Sequence, residues 1–135
     1  MKAALLNFLF IFMVLVSGVA LSKTPSTDAY ARCMARTKND RLNCQAGCGM
    51  IVQQCYDEGV ADINNQIVKL SEDIKGKSAV VCADLVENYL NEASRMEANV
   101  GKQTKNFVGW TGSELTLNFA RQRLDNILLI RKSCN

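Results

Sequence analysis

The sequence predicts an all-α fold, a disulfide-stapled antiparallel helical bundle, and three observations predict it. Apolar residues recur at three- and four-residue spacing in successive segments, the signature of helices with one buried stripe. Proline occurs once, at Pro25, and alternating β-branched runs are nearly absent. The chain has six cysteines and no histidine, and all six cysteines follow residue 22.

Residues 1–22 read as a signal peptide. Lys2 gives a minimal positive start, residues 3–16 are apolar apart from Asn7, and Ala20-Leu21-Ser22 fits a small-x-small cleavage site before Lys23. Its removal lowers the formal charge from +3 to +2, too mild for a nucleic-acid partner, which needs a concentrated basic face. The expectation is a single helical domain over residues 23–135, periplasmic or secreted, with no membrane association after cleavage.

The cysteines (33, 44, 48, 55, 82 and 134) are therefore expected to be disulfide staples, because an even count in an oxidising compartment reads as a cross-linking framework. A zinc site would call for histidine or paired Cys-x-x-Cys motifs, and neither is present. No metal and no cofactor is expected. The pairing stays open, with two preferences. Cys134, on a C-terminal turn that lacks apolar residues to dock it, is expected to bond one of Cys33, Cys44, Cys48 or Cys55, with Cys82 as the competitor. Cys44 and Cys48 are not expected to bond each other on a regular helix, where their Cβ vectors run side by side, unless Gly47 and Gly49 open the turn.

A first helix is predicted over 28–42, with Ala31, Met34, Ala35 and Leu42 on its apolar stripe and Ser26, Thr27 or Asp28 as its cap. Gly47 and Gly49 predict a bend. A second helix is predicted over 60–74 with the stripe Ile63, Ile67, Leu70 and Ile74, closed near Gly76. A third runs over 78–102, burying Val81, Leu85, Tyr89 or Leu90, Ala93 and Met96 beside Cys82. In the last, Thr111 stands three residues before Glu114, a capping-box spacing. Leu117, Ala120, Leu124, Ile127 and Leu128 form its face, and Arg131 and Lys132 suit its C-terminal dipole.

Catalytic chemistry finds little support. Without histidine there is no Ser-His-Asp or Cys-His arrangement. Adjacent acids such as Asp57-Glu58 and Glu72-Asp73 point about 100° apart on a helix and do not form a working pair. The chain reads as a binding protein, not an enzyme. Trp110 is the best single binding candidate, with Phe107 near it and Lys102 and Lys105 just upstream, since an aromatic anchor with basic neighbours is the composition of an interface hot spot. The competing reading, a tryptophan plugging the core beneath its loop, follows from the high average burial of tryptophan.

The segment "YARCMARTKNDRLNC" resembles the opening of the LprI-like (lysozyme inhibitor-like) family of small exported bacterial proteins. Cys33, Thr37, Asp40, Asn43 and Cys44 stand in comparable places. "ADINNQIVKL" is similar to the family's Asp-x-x-Leu-Asn-x-x-Tyr helix, with Asp62 as its Asp. Gln122, Arg131 and Cys134 resemble its closing pattern. Cys48 and Cys55 are additional to that pattern. The resemblance implies a helical, disulfide-linked envelope protein, in a family some of whose members inhibit lysozyme. The function expected first is a binding protein that blocks a lysozyme or similar wall-cleaving enzyme by occlusion. The alternative is a helical adaptor or immunity module with a different protein target.

Overall fold

The computed structural model describes residues 28–134, and the signal-peptide expectation lies outside them. Five helices and no strand occur among the described residues: α1 (Ala29–Arg36), α2 (Lys38–Leu42), α3 (Cys48–Lys77), α4 (Val80–Thr104) and α5 (Thr111–Ser133). The all-α, disulfide-stapled architecture holds.

Asp28 starts α1. Its Oδ1 accepts from the Ala31 N–H at 2.8 Å, satisfying one of the donors a helix leaves open at its N-terminus. The other Asp28 oxygen takes the Arg121 guanidinium of α5 at 2.6 Å. The same carboxylate therefore caps α1 and ties it to the last helix. Eight residues are too few for a helix to persist alone, so α1 depends on such attachments. Within it Cys33 is the buried residue, while Ala35 and Leu42 of the expected stripe are exposed.

Helix α3 begins earlier and ends later than its apolar stripe suggests, running 30 residues from Cys48. Gly47, in the left-handed region at φ 74°, sets its start. The helix passes through Gly76 and is capped at Ser78, whose N–H reaches the Ile74 carbonyl at 2.9 Å. Ile63, Ile67 and Ile74 are buried as expected, and Leu70 packs at the edge of the same cluster. Only Ser78 and Ala79 separate α3 from α4, so the chain folds straight back on itself.

On α4 the core-facing residues are Val86 and Ala93, with Cys82, Tyr89 and Leu90 half-buried. Val81, Leu85 and Met96, expected on the buried side, are exposed. The true stripe begins one residue later, a rotation of about 100°. On α5, Leu117, Ala120 and Ile127 are buried and Leu124 is partly so, but Leu128 faces outward. The expected capping box is absent, because α5 begins at Thr111 with Trp110 as N-cap and no side-chain cap bond. Antiparallel packing of α4 on α5 is fixed by the bond from Asn126 to the Tyr89 hydroxyl at 2.8 Å and by the Arg123–Glu97 ion pair at 2.8 Å. Burial raises the Glu97 pKa, and the neighbouring Arg123 opposes that rise.

Three disulfides join Cys33 to Cys55, Cys44 to Cys48 and Cys82 to Cys134. Two expectations about pairing are corrected. Cys134 bonds Cys82, not a cysteine of the first half, because antiparallel α4 and α5 bring the start of one beside the end of the other. The cysteines near the start of α3 lie at the opposite end of α5, a helix of 23 residues and hence roughly 34 Å long. Cys44 does bond Cys48, by the route that the exception allowed. Cys44 lies outside any helix and Gly47 turns the chain through a positive φ, which brings the two Cα atoms to 5.7 Å, within bridging range.

Two glycines of α3 give opposite expectations. At Gly59 an added Cβ would sit 2.7 Å from Tyr30 Cβ and 3.0 Å from Leu117 Cδ1, whereas at Gly76 it would meet nothing within 4 Å. Gly59→Ala should destabilise by about 1–3 kcal/mol through overpacking, less a partial gain in helix propensity. Gly76→Ala should stabilise by about 0.5–1 kcal/mol. Urea denaturation of both variants checks the contrast; equal midpoints would contradict the close α1–α3 approach.

Candidate protein-binding end of the bundle

The loop between α4 and α5, residues 105–110, meets the start of α3 at one end of the bundle. Gly109 takes a positive φ of 76°, a conformation easily reached without a side chain, and Trp110 follows as the N-cap of α5. Its indole stacks on Tyr56 with centroids 6.0 Å apart. Tyr56 in turn lies 4.8 Å from the Tyr30 ring, over which the Arg121 guanidinium sits at 5.7 Å. Three rings from α1, α3 and the loop thus lie one against the next, with a cation over the ring at the far end from Trp110.

Gly49 makes room for the outer ring, since a Cβ there would stand 3.4 Å from the Trp110 ring. The sequence offered Gly49 only as a helix breaker, yet it lies inside α3 and serves as the surface on which the indole rests. Tyr56 is buried, and its phenol pKa is pushed up to about 12 by that burial, with smaller contributions from the adjacent Tyr30 and from nearby negative charge. It therefore stays neutral under ordinary conditions, which suits a ring packed between two others.

Trp110 combines both sequence readings. One part of its ring covers Tyr56, and 38% of its surface remains open. Around it Met50, Phe107 and Val108 are exposed, Val108 at 91%. Lys105 closes α4 at the same end. It lines a cleft of about 360 Å³ with Tyr56, Asp57, Phe107 and Ser113. Ser113 Oγ donates to Gln53 Oε1 at 2.9 Å, and Gln53 Nε2 donates to Asp57 Oδ1 at 2.8 Å, so one wall of the cleft is a fixed polar chain. Lys102 lies one turn earlier on α4, exposed and outside the cleft lining.

The fold therefore puts Trp110 and Lys105 at the same end of the bundle, linked through Tyr56, and leaves Lys102 outside the cleft. Tyr30, Tyr56, Gly49 and Met50 complete it and were not legible as site residues, because nothing in their local spacing shows that α1 and the start of α3 meet the distant loop. Among the described residues no group of three Cys, Asp or Glu side chains could hold a metal ion, and no helix is long and apolar enough to cross a membrane. Compared with protein-family models, curated proteins and solved structures, the chain has no match in any of the three.

Proposed function

We propose that this chain is an exported cell-envelope binding protein, periplasmic or secreted, that acts by occlusion, and that the Trp110 end of the bundle is its contact surface. The observation that carries the reading is Trp110 itself. A half-open indole is held by a ring stack, and Met50, Phe107 and Val108, close to it or to its Gly49 contact in sequence, are exposed. A rigid aromatic anchor of this kind gives much contact area for little loss of conformational freedom on binding. Three disulfides among the described residues suit an oxidising compartment.

A lysozyme or similar wall-cleaving enzyme is the proposed target class. The family resemblance of the first-half motif supports it, as does the placing of Lys105 in a cleft that Tyr56 and Phe107 also line, since glycosidase clefts carry paired carboxylates that a cation can approach. Inhibition by the oxidised chain should be measured against a panel of lysozymes. Trp110→Ala is expected to weaken inhibition at least tenfold, in line with hot-spot truncations of about 2 kcal/mol or more, with the helical circular dichroism unchanged. Absence of inhibition would sink the lysozyme reading. Recovery of a different envelope protein, released by the same substitution, would install the adaptor or immunity alternative.

A further inference from the structure

Helix α4 is the least enclosed of the long helices. Of its 25 residues only Val86 and Ala93 are buried. Its outer flank nonetheless carries a stripe that the periodicity marks as apolar: Val81 is 75% exposed, Leu85 50% and Met96 49%. With Asn88 and Glu92 these side chains fall within an arc of about 80° on an ideal helix. Beside them runs a second row with Asp84 and Arg95, both exposed.

We propose that this flank pairs with the same flank of a second copy of the chain, the two α4 helices running antiparallel about a twofold axis near Asn88 and Tyr89. The pattern is self-complementary in that arrangement. Val81 of one copy falls opposite Met96 of the other, and Leu85 opposite the aliphatic stem of Glu92. Asp84 meets Arg95 across the axis. The midpoints of these pairs lie between Asn88 and Leu90, within one residue, or about 1.5 Å of rise, of the common point that one axis requires. A twofold also brings the same flank of each helix together, so the two Asp84–Arg95 pairs form on one side of the seam. A parallel alignment would instead put the Asp84 and Arg95 rows of the two copies on opposite sides of the seam, so that neither charge would meet its opposite. Arg95 already bonds both Glu92 oxygens at 3.0 Å within its own helix, which holds its guanidinium beside the seam. The surface lies on the α4 flank and is distinct from the Trp110 end.

Sedimentation and light scattering of the oxidised protein over a concentration series test this. A reversible dimer is expected. Asp84→Arg and Arg95→Asp should each raise its dissociation constant about tenfold or more by placing like charges across the axis. The double variant D84R/R95D should recover the original constant to within about threefold, since the exchanged pair restores complementarity. Leu85→Lys should leave a monomer with an unchanged helical spectrum. A wild-type chain that stays monomeric at every concentration overturns the proposal and leaves the flank to a different protein. A dimer indifferent to both single reversals overturns it as well, by placing the contact elsewhere.

Discussion

Replacing Cys33 and Cys55 together by alanine is expected to cost about 4–5 kcal/mol and to detach α1 from the bundle. The bond closes a sequence separation of 22 residues, which the chain-entropy account values at roughly 3 kcal/mol. Both cysteines are fully buried, so their sulfur packing adds about 1 kcal/mol or more. The contacts of α1 fail together because the helix is too short to stand by itself. Asp28 loses its place at Arg121, and Tyr30 leaves the face of Tyr56. A fall in melting temperature of roughly 15–20 °C should follow for a domain of this size. Amide exchange should show α1 opening before α3 and α5. Cys44→Ala/Cys48→Ala is the control, because its loop is short and the same account assigns it a smaller effect. If the control costs as much as the Cys33/Cys55 pair, the account of α1 is wrong.

Removing the Cys82–Cys134 bond by Cys82→Ser/Cys134→Ser is expected to cost about 4 kcal/mol, from the loss of a cross-link spanning 52 residues. Here the sulfurs are only half-buried, so the packing contribution is small and the entropic one dominates. The damage should be localised: the last turn of α5 and the first of α4 fray, while the Trp110 end keeps its ring stack. The binding proposed for Trp110 should therefore survive at temperatures where the variant remains folded. Asp73 gives an independent measure of the same end. Its pKa is held below the usual carboxylate value by its bond to Lys77, with Arg131 of α5 adding to the effect. That contribution to stability is present above the unfolded carboxylate pKa and fades as pH falls through the lowered folded value. If α5 frays, the Arg131 part is lost, and the variant should show a weaker acid dependence than the parent protein. Identical acid dependence would argue that the end of α5 is held without the disulfide.

The corrections among the cysteines and on α4 have different physical causes. Periodicity locates a stripe but fixes its centre only to within a residue or so, and one residue is about 100° of rotation. Val81 and Leu85 read as core for that reason, while Cys82, Val86 and Ala93 hold the interior. Cysteine pairing depends on which helix ends meet, a non-local property that spacing along the chain does not contain. Cys44–Cys48 is the instructive exception, since Gly47 carried the information locally, in a residue tolerant of the positive φ that opens the turn.

By itself the sequence determined the helical class, a helix start close to Asp28, the break near Gly47, the isoleucine stripe of α3 and the apolar face of α5 apart from Leu128. Each rests on neighbours within one or two turns, where helix geometry leaves few choices. Only the tertiary structure decided the partners of Cys82 and Cys134, the outward flank of α4 and the stack of Tyr30, Tyr56 and Trp110. These depend on three packed helices and one loop meeting from distant parts of the chain. The position of a side chain in such a meeting is set by its neighbours' shape and burial, which no single segment encodes.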